Sequence, residues 1–214
     1  MPTTVLRGTV EAVGTAHYFN EEPTAASKPA RVEVNLPDLT VTLASDRGVF
    51  SRDRLDPGTK LLLTEMPPVD DDAVTLDLGC GWGPIACVTA LRTRSGRIWA
   101  IDVNTRARTL TEVNARAIGA SDRISVAPPS GVPVDVRFDR ILSNPPIRIG
   151  KPALHQLLED WLSRLNPGGQ AHLVVQKHLG SDSLHRRLSD QGFPTIRLAG
   201  RSGYRILEVN PRED

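Results

Sequence analysis

Three short stretches of this 214-residue chain combine residue types and spacings that could do chemistry. The first is Asp77-Leu78-Gly79-Cys80-Gly81-Trp82-Gly83-Pro84, a glycine loop after an apolar run. Gly79 and Gly81 carry no Cβ, so backbone can approach a ligand closely there. The second is Asp102, at the end of the next apolar run and 21 residues after Gly81. A carboxylate at that place can accept both hydroxyl hydrogen bonds of a ribose. The third is Asn144-Pro145-Pro146, where two prolines end a strand and stiffen the loop. A stiff loop can hold the Asn144 amide oxygen and the Pro145 carbonyl as fixed acceptors for the two hydrogens of an amine or amide NH2.

A glycine loop alone does not identify its ligand. A dinucleotide fingerprint runs G-x-G-x-x-G/A, with free backbone amides that meet a pyrophosphate. Here the residue three after Gly81 is Pro84, which has no N–H, and an acid, Asp77, stands two residues before the first glycine. Asp77 would repel a pyrophosphate and suits a cationic ligand. The α-ammonium and sulfonium of S-adenosylmethionine (SAM) meet that requirement. Transfer of a methyl group discharges the sulfonium, so polar, uncharged acceptors such as those of Asn144 and Pro145 suffice. The expected chemistry is methylation of an exocyclic or amide nitrogen, with no nucleophilic side chain.

The elements that must position these residues follow from periodicity. From residue 73 on, apolar strands (74–78, 97–101, 123–127, 138–143, 171–176) alternate with helical stretches (84–94, 105–118, 152–165, 181–191). The Asn166-Pro167-Gly168-Gly169 run reads as a helix stop. Strands at 195–198 and 204–209, joined through 199–203, read as a closing hairpin. The pattern implies an α/β, Rossmann-like seven-stranded sheet, mostly parallel, with helices on both faces and an antiparallel edge hairpin. Residues 1–66 read differently. Short strands at 5–13, 31–36 and 39–43 are followed by a helix that starts at Asp56-Pro57 and stops at Pro67-Pro68. The expected division is a β-rich N-terminal extension (1–66), packed on a methyltransferase core (67–214).

Composition narrows the classes. Hydrophobic residues are 39% and charged residues 24%, ordinary for a folded domain. The chain has no apolar run long enough to span a bilayer and no signal-peptide core, so a soluble cytoplasmic protein is expected. Cys80 and Cys87 do not have a metal-knuckle spacing, and the five histidines lack HExxH spacing, so no metal site is expected. The net charge is +1, and 22 arginines stand against four lysines, a bias that codon usage also explains. Local clusters must therefore carry any case for nucleic acid. Arg47, Arg52 and Arg54 before the core, and Arg148 and Lys151 after the reactive loop, could flank one mouth and pair with phosphates.

In their order these motifs resemble the class I SAM-dependent methyltransferases, and more narrowly the ribosomal RNA small subunit methyltransferase C family, which makes N2-methylguanine in 16S rRNA. The resemblance also takes in His17-Tyr18-Phe19, Asp46-Arg47-Gly48-Val49-Phe50-Ser51, Leu55-Asp56, Gly58-Thr59, and Gly150-Lys151. It implies that Asp77, Gly79, Cys80 and Gly81 line the methionine end of SAM, that Asp102 binds the ribose, and that Val103 and Asn104 flank the adenine. Asn144 and Pro145 would hold the target amine beside the cofactor, with Pro146, Ile147, Arg148 and Lys151 on the substrate side. Phe50 would cover the ligand from the N-terminal segment or else pack in the core. Two departures stand out. Ile147 takes the place of an aromatic residue that usually stacks on the target. Where relatives place an acid for the adenine amine, this chain has Ala127-Pro128-Pro129-Ser130, with Ser130 the nearest polar candidate. The implied partner is ribosomal RNA or the small ribosomal subunit, met by a monomer with this single domain. Methylation of a protein glutamine or a small molecule is the rival within the enzyme class. A non-catalytic SAM-binding or scaffold protein is the rival outside it.

Overall fold

The computed structural model describes residues 25–212, and the strand expected at 5–13 and the His17-Tyr18-Phe19 motif lie outside them. An antiparallel pair, β1 (Ala30–Asn35) and β2 (Thr40–Ser45), forms a separate two-stranded sheet. It turns at Pro37-Asp38, where the Leu36 amide donates to the Leu39 carbonyl at 2.9 Å. Helix α1 (Pro57–Glu65) follows, with the Asp56 carboxylate capping the Thr59 amide and proline in its first turn.

The alternating part of the chain builds a seven-stranded sheet from β3 (Val74–Leu78), β4 (Arg97–Ile101), β5 (Ile124–Ala127), β6 (Phe138–Ser143), β7 (Leu165–Gln176), β8 (Thr195–Arg201) and β9 (Tyr204–Val209). The helices between them are α2 (Pro84–Arg92), α3 (Thr105–Ala117), α4 (Lys151–Leu162) and α5 (Ser181–Asp190). The strand order is β5-β4-β3-β6-β7-β9-β8, with β9 antiparallel to both its neighbours and the remaining pairs parallel. The strands alternate their faces with period two. Leu76, Leu78, Ile141, Leu173 and Val175 are buried with α4 and α5, whereas Ala100, Leu142, Val174 and Ile206 are buried with α1, α2 and α3. Val32, Val34 and Leu43 of the hairpin join the second cluster. Asn114 of α3 ties it down, since its side chain accepts from the Ala44 amide (2.7 Å) and donates to the carbonyls of Ala44 (2.9 Å) and Trp82 (2.7 Å).

Several element ends shift by one or two residues from expectation, and two boundaries differ in kind. Asn166 to Gly169 do not stop a helix; α4 ends at Leu162, and these residues lie in the irregular start of β7, where the register against β6 shifts. A proline is tolerated there because residues 166–169 stand against Asp139 alone and lie outside the regular ladder. The closing hairpin also has a shorter turn. Strand β8 runs to Arg201, and Ser202 and Gly203 alone connect it to β9, with φ of 50° and 82°. Two successive residues with positive φ form the turn whose twist matches the flanking strands.

Chain order reverses direction across the sheet between β3 and β6. This is the topological switch point, where loops leaving the carboxyl ends of adjacent strands splay apart and open a crevice. The loop after β3 is the glycine loop, and the loop after β6 is Asn144-Pro145-Pro146.

Candidate active site

A cavity of about 370 Å³ lies at this crevice. Among the residues that line it are Gly79, Cys80, Gly81, Asp102, Val103, Asn104, Asn144, Pro145, Pro146, Ile147, Arg148 and Phe50. The volume falls within the range of small-molecule and cofactor sites.

The glycine loop is folded by its own amides. Those of Gly79 and Cys80 both donate to the Ile101 carbonyl at 2.9 Å, that of Gly81 donates to Asp102 Oδ2 at 2.9 Å, and that of Gly83 returns to the Cys80 carbonyl at 2.9 Å. Gly79 and Gly81 sit at φ of 78° and 57°, and a Cβ on either would project into open space. The loop therefore offers a bare backbone cradle whose Gly79, Cys80, Gly81 and Gly83 amides are already engaged. A pyrophosphate needs free donors; a ligand held by shape and by an adjacent carboxylate does not.

Asp102 supplies that carboxylate. Its Oδ1 accepts from the Asn104 amide and its Oδ2 from the Gly81 amide, both at 2.9 Å. Each carboxylate oxygen can accept more than one bond, so both keep capacity for a diol. Burial pushes its carboxyl above the ordinary range, against the pull of those backbone donors.

Asp77 is placed otherwise than expected. Its side chain is fully buried behind the loop and does not line the cavity. Its Oδ2 accepts from the Ala86 amide in the first turn of α2 at 2.9 Å, while Oδ1 has no partner. Burial, and further the Asp102 charge, push its carboxyl up to about 8. A native acid that keeps its proton to about pH 8, when the unfolded one loses it near pH 4, makes the protein less stable as pH rises between those values. Asp77→Asn removes this dependence. Its melting temperature relative to wild type is expected to climb from pH 5 to pH 8 and level off above, as thermal unfolding without ligand would read. A pH-independent difference would contradict the shift.

Three other residues also take places that differ from expectation. The Asn104 side chain is spent on structure: its oxygen caps α3 by accepting from the Arg106 and Ala107 amides, and its amide donates to the Gly48 carbonyl at 2.8 Å. Ser130 lies exposed on a short 3-10 turn outside the cavity, which its neighbour Pro129 lines instead. Lys151 opens α4 and is exposed, away from the lining. Cys80 is a buried wall residue whose thiol pKa is pushed well up by burial, so it fills space and stays protonated. Phe50 is not a core residue: it is 51% exposed on the cavity rim, its carbonyl held by the Trp82 indole N–H at 3.1 Å.

Asn144 is held from an unexpected side. Its Nδ2 donates to Asp56 Oδ2 at 2.8 Å and to Thr59 Oγ1 at 3.0 Å. A carboxylate can only accept, so the amide orientation is settled and Oδ1 is left as the free acceptor. The Pro145 carbonyl already accepts from the Ile147 amide at 2.8 Å, which leaves it one further lone pair. In the sequence Asp56 reads as a helix start, and Asp56 and Thr59 both fall within the family resemblance, but neither signals a hold on Asn144. Gln176 and Tyr204, which also line the cavity, had no sequence signal beyond standing at strand ends.

Among the described residues no cluster of three His, Cys, Asp or Glu could hold a metal ion, and no helix is long and apolar enough to cross a membrane.

Comparison with known proteins identifies the family. Residues 40–208 match the family described as methyltransferase small domain. The protein YbxB of Bacillus subtilis (strain 168), described as uncharacterized, is 32% identical over 196 residues, which are 90% of this chain and 97% of that protein. The ribosomal RNA small subunit methyltransferase C of Shewanella pealeana is 30% identical over 154 residues, 70% of this chain and 44% of that relative. This chain thus spans less than half the length of that enzyme. The fold is shared with the T. thermophilus 16S rRNA N2 G1207 methyltransferase, solved with S-adenosylmethionine and guanosine, at a TM-score of 0.71 and 21% identity over 89% of this chain and 52% of that one. The open glycine cradle and the ribose-competent Asp102 fit SAM, and this chain belongs to the methyltransferase small domain family of SAM-dependent methyltransferases.

Proposed function

We propose that the enzyme methylates the exocyclic N2 of a guanine in small-subunit ribosomal RNA. The observation that carries this reading is the clamped Asn144 carboxamide, whose oxygen is left free in the same cavity as the glycine cradle. SAM bound in the cradle supplies an electrophilic methyl group on a sulfonium. Asn144 Oδ1 and the remaining lone pair of the Pro145 carbonyl accept the two hydrogens of an aromatic amine. Held so, the nitrogen moves toward tetrahedral geometry and its lone pair is withdrawn from the ring. A carboxamide oxygen is a weak base, so these groups orient and polarise the amine; the proton shed after transfer goes to water.

The surroundings support a nucleobase. Pro146 and half-buried Ile147 give an apolar wall for a ring, in place of stacking on an aromatic side chain. Arg148 at the rim and Arg47 and Arg54 nearer the N-terminus are exposed and make no ion pair among the described residues, so they are available to phosphates. Arg52 is engaged with Asp53 at 2.8 Å. A target within a duplex would have to be flipped out to reach this depth. The relatives' names point the same way.

Methyl-labelled SAM offered to purified small ribosomal subunits and, separately, to ribosomal and soluble proteins tests the reading. Label in RNA, recovered as N2-methylguanosine by mass spectrometry of the nucleosides, is the expected result. Label in protein alone would overturn it in favour of glutamine methylation, and no transfer at all would leave a SAM-binding scaffold.

A further inference from the structure

We infer that Gln176 and Tyr204 form an edge-reading pair, selecting a ring N–H beside a ring carbonyl next to the amine held by Asn144; this rests on the nucleobase reading above. Gln176 is the last residue of β7 and Tyr204 the first of β9, and the two are register partners. Because β9 runs antiparallel, both stand at the same end of the sheet as the carboxyl ends of β3 and β6. Both line the cavity that Asn144 lines.

One hydrogen bond joins the pair, and the orientation of the Gln176 amide in the structure gives it its polarity. Gln176 Nε2 donates to Tyr204 Oη at 2.7 Å. The Gln176 amide orientation then leaves Oε1 as an acceptor, and the phenol, having accepted, keeps its own proton to donate. Neither group has another partner among the described hydrogen bonds of the protein. The wall thus offers an acceptor at Asn144 Oδ1, a second acceptor at Gln176 Oε1 and a donor at Tyr204 Oη.

The Watson–Crick edge of guanine presents the complement: an amine donor, an N1–H donor and a carbonyl acceptor. Adenine and cytosine put a bare ring nitrogen beside their amines, which would face Gln176 Oε1 lone pair to lone pair. A primary carboxamide, as in a glutamine side chain, has an NH2 and a carbonyl but no N–H group beyond that NH2, so it leaves Gln176 Oε1 unmatched. Sites built to pair a polar group reject analogues that lack it, because the site's own group is left unpaired.

The first turn of α1 registers both halves of the reader. Asp56 and Thr59 hold Asn144. Between them, Gly58 lies against the Tyr204 ring so closely that a Cβ there would come within 2.6 Å of two ring carbons.

Guanosine and 2-aminopurine riboside separate this pair from the amine clamp. The second keeps the amine but has a bare N1 and no oxygen at C6. With S-adenosylhomocysteine present, NMR titration of the wild type is expected to show about tenfold or greater preference for guanosine. Tyr204→Phe and Gln176→Met should each cut that preference to a few-fold by weakening guanosine alone, with S-adenosylhomocysteine affinity unchanged. A wild type with no preference, or variants that keep it whole or weaken both nucleosides equally, would overturn the pair's role. The labelling of small subunits decides the parent reading separately: labelled guanine without nucleoside preference removes only the pair, whereas no label in RNA removes both.

Discussion

Asn144→Ala is expected to bind SAM within a few-fold of wild type and to transfer its methyl group about a hundredfold more slowly, the size of effect seen when one preorganised polar group is removed from a reacting centre. The carboxamide oxygen is the acceptor that the Asp56 and Thr59 side chains leave free. Its loss removes the orientation of the amine, while Gly79, Gly81 and Asp102 of the cradle keep their own hydrogen bonds. Asp56→Ala should produce a milder form of the same defect, since Asn144 stays in place but loses its anchor. It should also cost about 1 kcal/mol of stability, because the same carboxylate caps α1. Single-turnover transfer alongside calorimetric SAM binding separates the two steps. Transfer at the wild-type rate in Asn144→Ala would remove the residue from the reaction.

Asp102→Ala is expected to act on the other side of the cavity, weakening SAM binding by about ten- to a hundredfold, as for loss of hydrogen bonds to a charged acceptor. Two effects combine. The carboxylate that would hold the ribose diol is gone, and the amides of Gly81 and Asn104 lose their acceptor, so the cradle itself loosens. Asp102→Asn should not rescue, because its NH2 would face one of those two N–H groups. Calorimetry with S-adenosylhomocysteine measures the loss. Affinity within twofold of wild type in both variants would contradict the assignment.

The parts of this site that could be read from the sequence are those that depend on chain order. Alternating strands and helices imply the parallel sheet, and the sheet puts the loops after β3 and β6 side by side at the switch point. Asp102, Gly79, Gly81 and Asn144 come together for that reason alone. What could not be read depends on which way side chains turn. Asp77 stands where an exposed acid was expected, but the strand's period-two alternation and the α2 amide it caps turn it inward. Asn104 is an ordinary helix N-cap, a role the residue type favours and that competes with ligand contact. Asp56 was legible as a cap, but its hold on a residue 88 positions away is a tertiary contact with no local signature. The β7 bulge shows the same limit: Asn-Pro-Gly-Gly reads as a stop by local chemistry, and only pairing with β6 draws it into a strand.

A crystal structure with S-adenosylhomocysteine and guanosine tests the central claim most directly. The account predicts a ribose diol on Asp102, the thioether against the Gly79–Gly81 backbone, and the guanine amine within hydrogen-bond distance of Asn144 Oδ1. Cofactor density away from the glycine loop, or an amine on the far side of the cavity from Asn144, would contradict it.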